Sequence, residues 1–591
     1  MMWTMAHGLM GLAATLFIAI GVAAAHAKQP NVVVFLADDQ GWGDLGVSGN
    51  DDARTPNIDS LAKDGVSFDR FFVCAVCAPT RAEFLTGRYH PRTGVRGVST
   101  GLERLNVDEK TVAQVFKEAG YATGAFGKWH NGTQWPYHPR ARGFDEYYGF
   151  TSGHWGEYFD PPLDHNGSMV RGSGYISDVF TDRAIAFIEA NRERPFFCYV
   201  PYNVPHSPFA VPQKYWERWK DVPISMPGSG GKGDDLMVTR CASAMNENMD
   251  WNVGRVLRKL EELNLTGDTI VVYFTDNGPN SGRWNGGMRG RKGSVDEGGV
   301  RSPLLVRWPG GLPAGRVVPA IAGAIDLLPT LAALAGVPLR TEKPLDGKDL
   351  SGLMKEARPD WPGRTIFSHH AGRVSARNQQ YRLDDRGRLY DMAADPGQTK
   401  DVAHERPEVA EGMRRAVALW RRDVLPDRGK DDRPFPVGYR EFPSTVLPAR
   451  DGVPHGGVKR SAGAPNSSYF VHWTSVDDFI TWDVDVNTPG RYEVTLYYTC
   501  PEQDAGSVVA LSLGDAKVSG KVTPGWDPPL YTNQDTIPRP PAESRMKEFR
   551  PLKLGVVRLE KGRGLLTLRA LEVRGTRVMD VRQVILTLLN E

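Results

Sequence analysis

The stretch NVVVFLADD, residues 31–39, decides the fold class, because an apolar run of strand length ends there at two aspartates. A continuous apolar run of this length is typical of a strand that is buried on both faces of a parallel sheet. Further runs of this kind alternate with amphipathic helix patterns, such as 111–119 and 182–191, through the N-terminal two-thirds of the chain. This alternation predicts an α/β domain around a large, mostly parallel mixed central sheet.

Charged and imidazole side chains follow the ends of four predicted strands. These strands and the residues after them are 32–36 with Asp38 and Asp39, 122–126 with Lys128 and His130, 196–200 with His206, and 269–275 with Asp276 and Asn277. Open α/β sheets bind ligands in the crevice beyond the carboxyl ends of their strands. We therefore expect these side chains to converge on one binding site.

The composition is that of an ordinary globular protein of several domains. The 591 residues correspond to roughly two to four domains of typical size. Lys and Arg together number 72 and Asp and Glu 70, so the formal net charge is +2. This near-balance argues against binding to nucleic acid or to anionic membranes through bulk charge. Five cysteines are too few for a disulfide framework, and their odd number leaves at least one thiol unpaired.

The first 27 residues are predicted to be a signal peptide. Residues 9–25 are apolar or small, and Ala25-His26-Ala27 matches an A-x-A cleavage site. The alternative is an uncleaved membrane anchor, but the apolar run is shorter than the ~20 residues that span a bilayer comfortably. No later stretch of the sequence is long and apolar enough to cross a membrane. The sequence therefore predicts a periplasmic or secreted protein, without stable membrane insertion once the signal is cleaved.

Changes in pattern divide the remaining chain into four predicted segments. These are a large α/β domain at 28–346, a smaller α+β subdomain at 347–426, a linker rich in Pro, Arg and Asp at 427–450, and a β-sandwich at 451–591. Apolar and polar residues alternate strictly on both sides of the turn at Pro489-Gly490. Alternation of this kind over short strands is typical of a sandwich.

The sharpest signal is the motif CAPTR at residues 77–81, followed by LTG at 85–87. Proline is favoured in the first turn of a helix, where its missing N–H costs nothing, so the motif predicts a helix that begins near Cys77. The positive end of the helix dipole, with Arg81 one turn further on, suits an anion placed over Cys77. Two alternatives stay open at this point: a structural thiol, or a redox or metal pair formed with Cys74.

These motifs resemble the signature of the formylglycine-dependent sulfatases of the alkaline-phosphatase superfamily, which is C-x-P-x-R followed at fixed spacing by L-T-G. Other blocks are similar to those of the same family and follow in the same order. They are DD at 38–39, GKWH at 127–130, PHSP at 205–208, DNG at 276–278, RGRKG at 289–293 with its continuation to Arg301, and WPG at 308–310. Clear similarity covers residues 31–310, and weaker similarity extends to about residue 425. The resemblance implies an alkaline-phosphatase-like α/β sandwich and the hydrolysis of sulfuric esters.

The resemblance also implies that a separate maturation enzyme oxidises Cys77 to formylglycine, whose hydrated gem-diol is the nucleophile. Hard oxygen ligands, which suit Ca²⁺ or Mg²⁺ rather than zinc, are offered by Asp38, Asp39, Asp276 and Asn277. Ca²⁺ takes about 6–8 oxygen ligands and is favoured over Mg²⁺ for a site so rich in protein oxygens. Residue 77 and the sulfate would complete the coordination.

Further roles follow from the resemblance and from the chemistry of sulfate ester cleavage. Charge that develops on the sulfate oxygens would be stabilised by Lys128, Lys292 and Arg81, and the alternative role of Arg81 is to orient the side chain of residue 77. His206, together with Lys292, would protonate the leaving alcohol as general acid. His130 would hold one hydroxyl of the gem-diol and later accept its proton. His90 and His154 lie in loops and are predicted to contact the substrate.

The sequence therefore predicts a sulfatase that acts on a sulfated polysaccharide or oligosaccharide. Three alternatives stay open: a phosphate or phosphonate monoester hydrolase of the same superfamily, a glycan-binding protein without catalysis in which Cys77 stays a thiol, and a dithiol redox protein that uses Cys74 and Cys77. The C-terminal sandwich resembles a carbohydrate-binding module. Four of its aromatic residues would be either sugar platforms or core, namely Trp473, Trp482, Tyr497 and Tyr498.

Overall fold

The computed structural model describes residues 29–228, 235–356, 361–425 and 431–590. The predicted signal peptide, 1–27, lies outside these residues. None of the helices in the four ranges combines the length and the apolar character that a membrane span needs. Buried apolar side chains form two large clusters in the N-terminal part of the described chain and a third in the C-terminal part.

A large mixed sheet forms the centre of the N-terminal part, which confirms the predicted fold class. Its eleven strands in the described chain are β1 (Asn31–Ala37), β2 (Val66–Phe72), β3 (Ala122–Lys128), β4 (Glu146–Phe150), β5 (Pro162–His165), β6 (Ser168–Arg171), β7 (Phe196–Pro201), β8 (Thr269–Thr275), β9 (Arg301–Ser302), β10 (Leu304–Arg307) and β11 (Arg316–Gly323). Their order across the sheet is β11-β2-β10-β8-β1-β7-β3-β4-β5-β6, with β9 paired to β2. The neighbouring strands β8, β1, β7, β3 and β4 run parallel, so their carboxyl ends lie along one edge.

Strand β1 is buried on both faces, which explains its uninterrupted apolar sequence. Val32 and Val34 pack into the cluster on one face of the sheet, and Val33 and Phe35 into the cluster on the other. The helices of this part are α1 (Pro56–Lys63), α2 (Cys77–Thr86), α3 (Val112–Glu118), α4 (Ile176–Ala190), α5 (Gln213–Trp219), α6 (Leu236–Glu262), α7 (Glu297–Val300) and α8 (Leu327–Leu334). Because the sheet is covered on both faces, its strand ends are the natural place for a site.

A small antiparallel sheet and two helices occupy the predicted subdomain 347–426. They are α9 (Ser351–Lys355), β12 (Ile366–His370), β13 (Arg373–Arg377), β14 (Tyr381–Leu383), β15 (Leu389–Asp391) and α10 (Pro407–Val424). Ala410 and Met413 of α10 pack on this sheet. Arg382 of β14 binds the buried Glu297 of α7, with Nε 2.9 Å from Oε2. The small sheet is thereby anchored to the segment that follows Lys292.

Two six-stranded sheets in the described chain form the C-terminal sandwich. Their strands are β16 (Phe435–Val437), β17 (Ser444–Pro448), β18 (Val453–His455), β19 (Lys459–Arg460), β20 (Phe470–Val471), β21 (Phe479–Val486), β22 (Gly490–Thr499), β23 (Val508–Leu513), β24 (Ala516–Lys521), β25 (Arg550–Leu559), β26 (Gly562–Glu572) and β27 (Asp580–Leu588). One sheet has the order β16-β21-β26-β23-β24, with β18 on β21; the other has β19-β20-β27-β22-β25, with β17 on β27. Strands β16 and β17 lie within 427–450, so this segment is part of the sandwich rather than only a linker.

Most of the aromatic residues considered as sugar platforms lie in the core of the sandwich. Trp473, Trp482 and Tyr498 are no more than 2% exposed. Tyr497, in contrast, is half-buried. Successive side chains of a strand point to opposite faces, which places Tyr497 on the outer face of β22 and Tyr498 in the core. The alternation seen in the sequence could not distinguish these two faces.

The sandwich packs directly on loops that follow β4 of the large sheet. Arg582 of β27 forms an ion pair with Glu157, with Nη2 and Oε2 2.8 Å apart. Ser152 Oγ donates to the carbonyl oxygen of Asn466 at 2.6 Å. The C-terminal part of the chain therefore helps to position the loop at 150–157.

Candidate active site

Helix α2 begins at Cys77, as the position of Pro79 predicts. The N-cap residue, Val76, has an extended backbone, and its side chain accepts no hydrogen bond from the helix. The backbone N–H groups of the first turn can therefore donate to another acceptor. Cys77 is 3% exposed. Burial raises the pKa of its thiol, and the nearby ammonium groups of Lys128 and Lys292 offset this only in part. An unmodified Cys77 is therefore a neutral thiol and a poor nucleophile.

The polar residues that follow β1 and β8 meet beside Cys77. These two strands pair in parallel, which brings Asp38 and Asp276 to the same edge of the sheet. The Cys77 Sγ and one carboxylate oxygen each of Asp38 and Asp276 lie within 4.8 Å of one another. The backbone N–H of Asp39 donates to Asp276 Oδ1 at 3.2 Å, and Asn277 Nδ2 donates to Asp39 Oδ1 at 2.8 Å. These four oxygen-bearing side chains form one buried group.

Three cationic side chains enclose the carboxylates. The ion pairs are Lys128 Nζ–Asp38 Oδ2 at 2.7 Å, Lys292 Nζ–Asp39 Oδ1 at 2.7 Å and Arg81 Nη2–Asp276 Oδ2 at 2.8 Å. Arg81 Nη1 also donates to the carbonyl oxygen of Lys128 at 2.7 Å, which ties helix α2 to the end of β3. Three carboxylates face three cations, so the six charges cancel and the group is formally neutral.

The pKa of Asp276 and two oxygens without partners indicate that this group can bind one more cation. Burial alone would raise the pKa of Asp38, but the charges of Lys128 and His206 outweigh it and lower that pKa to about 2. Burial and the neighbouring Asp38 raise the pKa of Asp276 to about 7. Two buried oxygens, Asp38 Oδ1 and Asn277 Oδ1, have no hydrogen-bond partner among the described residues. Buried oxygens without partners are uncommon in folded proteins, and a bound ion is one explanation for them.

His206 lies beside this group and is held from two sides. Its Nδ1 is 2.6 Å from the carbonyl oxygen of Ser207, which can only accept, so Nδ1 carries a hydrogen. Its Nε2 is 3.5 Å from Asp39 Oδ2 and is therefore the nitrogen that can exchange a proton towards the pocket. Tyr158 Oη donates to the His206 carbonyl at 2.9 Å. The ring of His154 stacks on that of His206, with centroids 5.7 Å apart, so the structure brings His154 to the site.

His130 is fully buried next to Lys128. Its Nε2 lies 2.8 Å from the carbonyl oxygen of Val98 and donates to it, which leaves Nδ1 as an acceptor without a partner in the described chain. Burial and the charge of Lys128 lower the pKa of His130, so the ring is neutral. His130 and Asp39 both have left-handed backbones, with φ of 63° and 64°. Left-handed backbone at polar residues is often found at functional sites.

His90 lies outside this group. Its Nε2 is 3.2 Å from Nδ1 of His369, which belongs to β12 of the small sheet. With Cys74 and Glu83 it forms a separate buried cluster, and it is 3% exposed. The small subdomain covers the loop in which His90 lies, so a substrate contact by His90 is not supported.

Sequence reasoning missed two residues that hold the site together. Thr80 Oγ1 donates to the carbonyl oxygen of Asp276 at 2.6 Å, which fixes helix α2 against the end of β8. Asn466 Nδ2 donates at 3.2 Å to the Val98 carbonyl, the same oxygen that accepts from His130. Thr80 lies within the motif at 77–81 and could have been assigned. Asn466 lies in the C-terminal sandwich, where no local pattern indicates a role at this site.

Comparison with known proteins gives matches over the region that carries this site. The Sulfatase family model matches residues 30–337, more than half of the chain. N-acetylgalactosamine-6-sulfatase of Canis lupus familiaris is 32% identical over 373 residues, which are 57% of this chain and 68% of that protein. Arylsulfatase A of Homo sapiens is 32% identical over 482 residues, which are 69% of this chain and 91% of that protein.

Solved structures agree with these matches. Ps i-CgsB, solved in complex with k-i-k-neocarrahexaose, superposes with a TM-score of 0.60 and 30% identity, over 66% of this chain and 93% of that chain. The phosphonate monoester hydrolase of Agrobacterium radiobacter has a TM-score of 0.53 at 21% identity, over 67% of this chain and 96% of that chain, and shares the fold alone. The matched segment contains Cys77 with its carboxylates and lysines, and on this evidence the chain belongs to the sulfatase family of sulfuric ester hydrolases.

Proposed function

We propose that this protein hydrolyses sulfate esters of a sulfated oligosaccharide or polysaccharide outside the cytoplasm, with residue 77 as formylglycine and with a bound Ca²⁺. The observation that carries the proposal is the convergence of Cys77, three carboxylates and three cations in one buried pocket at the start of α2. The thiol is buried and neutral, so the pocket suits an oxidised residue 77 better than a free cysteine. A formylglycine-generating enzyme would carry out that oxidation.

The residues present fit a calcium ion. Hard carboxylate and amide oxygens are supplied by Asp38, Asp39, Asp276 and Asn277. Asp38 Oδ1 and Asn277 Oδ1, which lack partners in the described chain, are available as ligands. Zinc would call for more thiolate or imidazole ligands, and Mg²⁺ usually keeps several waters instead of a set of protein oxygens. A dication added to a formally neutral group leaves a charge of about +2, which attracts the sulfate monoanion.

Formylglycine, as its hydrate, would supply the nucleophilic oxygen, and Ca²⁺ would polarise the sulfate. Lys128 and Lys292 present ammonium groups to the sulfate oxygens, where negative charge grows in the transition state. The pKa of Lys292 is raised, because the charge of Asp39 outweighs the effect of burial, so this lysine keeps its proton. Arg81 holds the Asp276 carboxylate and the backbone of Lys128, which positions both against residue 77.

Two histidines move protons in this proposal. His206 donates the proton on Nε2 to the leaving alcohol oxygen, while the Ser207 carbonyl keeps the other nitrogen protonated. His130 accepts a proton at Nδ1 from a hydroxyl of residue 77, because its Nε2–H is held by the Val98 carbonyl and its ring is neutral. The two rings therefore act at opposite ends of the reaction, one on the leaving group and one on the nucleophile.

A sulfated sugar is the substrate class that the relatives favour. One relative is named N-acetylgalactosamine-6-sulfatase, and one solved neighbour holds k-i-k-neocarrahexaose. The predicted signal peptide would direct the mature chain to the periplasm or the medium.

An ester-specificity assay tests the function. The chain, co-produced with a formylglycine-generating enzyme, is expected to release sulfate from 4-nitrophenyl sulfate more than about tenfold faster than phosphate from 4-nitrophenyl phosphate. It is also expected to release sulfate from hexasaccharides of carrageenan or of chondroitin sulfate, measured by ion chromatography. Faster turnover of the phosphate ester would instead identify a phosphate or phosphonate monoester hydrolase, and the Cys77→Ala chain serves as the blank.

Removal of the divalent cation is expected to abolish sulfate release and to lower the Tm. Without the ion, three aspartate side chains stay buried together, and the pKa of Asp276 is raised to about 7 by burial and by Asp38. Added Ca²⁺ restores both activity and Tm, and Mg²⁺ restores them less well. An Asp39→Asn variant needs roughly 10–100-fold more Ca²⁺ for half-maximal recovery of the Tm. An unchanged Tm and full activity in protein that metal analysis finds free of divalent ions would contradict the calcium site.

A further inference from the structure

A cleft of about 490 Å³ lies between the C-terminal sandwich and the large α/β domain. It is separate from the pocket around Cys77, because none of the catalytic or metal-site residues proposed above lines it. Its volume falls within the range of about 300–1,000 Å³ that is typical of sites for small ligands. Both domains contribute to its wall, so it exists only because the sandwich packs where it does.

The outer face of one sandwich sheet forms the first wall of the cleft. Lining side chains come from alternate positions of neighbouring strands: Val446 on β17, Thr495 and Tyr497 on β22, and Ile585 and Thr587 on β27. The residues between them, such as Leu496 and Leu586, are buried in the sandwich core. The sheet therefore turns a second, partly polar face with one aromatic ring towards the large domain.

The loop after β4 forms part of the opposite wall and also borders the active site. Ser152 and Trp155 line the cleft. Between them, His154 stacks on the ring of His206. The loop is held from the sandwich side as well, because Ser467 Oγ donates to the His154 carbonyl at 2.9 Å. The same loop therefore contacts both the cleft and the active site.

The chemistry of the lining suits an anionic sugar chain. Three lining side chains are cationic and one is anionic, namely Arg450, Lys553, Arg582 and Asp164. Each cation has a carboxylate partner: Arg450 pairs with Glu103, Lys553 with Glu493 and Arg582 with Glu157. Lys553 still exposes 70% of its side chain. Hydroxyl and amide side chains also line the cleft, including Thr495, Thr587 and Gln583. Aromatic rings beside hydroxyl, amide, guanidinium and ammonium groups are what a sulfated saccharide binds.

We propose that this cleft binds the sugar residues that lie beside the sulfate ester being hydrolysed, so that the sandwich selects for oligosaccharides over short substrates. The identity of the ligand as a sulfated saccharide rests on the proposed function. Contacts in the cleft increase the affinity for long substrates, and they do not involve the catalytic residues. Tyr497 is then the one residue, of the four aromatic candidates, that contacts sugar.

Calorimetric titration of the Cys77→Ala chain, in which no turnover occurs, tests the cleft directly. Carrageenan and chondroitin sulfate hexasaccharides are compared with the corresponding disaccharides. We expect one of the hexasaccharides to bind at least about tenfold more tightly than its disaccharide. Tyr497→Ala removes the ring and Thr495→Trp fills the space, and each is expected to remove most of this gain while disaccharide affinity stays within about twofold.

Val556→Trp is the matched control, because Val556 is 43% exposed on β25 but does not line the cleft. With Cys77 intact, both cleft variants should hydrolyse 4-nitrophenyl sulfate at the wild-type rate, which also reports that they fold. Equal affinity for hexasaccharides and disaccharides, or a length effect that survives both cleft variants, overturns the proposal. Binding is measured without turnover. Failure of the cleft proposal and failure of the proposed sulfatase activity therefore give different experimental results.

Discussion

Replacement of Cys77 by Ala lowers kcat for sulfate release by roughly 10⁵-fold or more, on the scale that loss of a nucleophile has in other hydrolases. The expected loss is this large because no other nucleophile is available at that point: the nearest groups are carboxylates and ammonium groups that are paired with one another. Cys77→Ser is expected to be nearly as inactive where the serine stays unoxidised, since it then offers one hydroxyl instead of an aldehyde hydrate. Initial rates with 4-nitrophenyl sulfate measure both variants.

Cys74→Ser is the matched control for this experiment. Cys74 lies three residues away, but it belongs to the cluster with Glu83 and His90, and burial keeps the pKa of its thiol well raised. Its loss should leave sulfate release close to that of the wild type. The tryptic peptide 71–81 contains both cysteines, and its intact mass should reveal one thiol and one aldehyde in active protein. Two thiols in fully active enzyme, or a large loss in Cys74→Ser, would contradict a formylglycine at residue 77 and favour dithiol chemistry.

Much of the candidate site could be predicted because it lies where buried strands end. The strands β8, β1, β7 and β3 are direct neighbours in the sheet, so the residues after them must share one edge. The groups brought together in this way are Asp38, Asp39, Lys128, His130, His206, Asp276 and Asn277. Local sequence was enough to predict this convergence. Residues that follow neighbouring parallel strands all lie at the crevice beyond the carboxyl ends of those strands.

What could not be predicted depends on contacts between segments that are far apart in the sequence. His90 has the sequence context of an exposed loop, but its ring is buried and contacts His369 of the small sheet. The segment 427–450 is rich in proline and charge, yet β17 within it pairs with β27 some 140 residues later. Asn466 reaches the Val98 carbonyl from another domain. Tertiary contacts of this kind override local preference and leave no periodic signal.

Replacement of His206 by Gln has an effect that depends on the leaving group. For a sulfated sugar, whose alcohol is a poor leaving group, we expect kcat to fall by about 10³-fold, within the range of general acid catalysis. For 4-nitrophenyl sulfate, whose phenolate leaves without a proton, the expected loss is less than about tenfold. Lys292 cannot replace the lost acid efficiently, because its contact with Asp39 raises its pKa and holds its proton.

The pattern across substrates separates an acid from a residue that only shapes the pocket. A structural role would lower kcat for both substrates by the same factor, since misplacement of the sulfate does not depend on the alcohol. His404→Gln, at an exposed histidine of the small subdomain, is the matched control and should leave both rates unchanged. Equal losses for the two esters would remove His206 from the role of proton donor and leave the alcohol to be protonated from solvent.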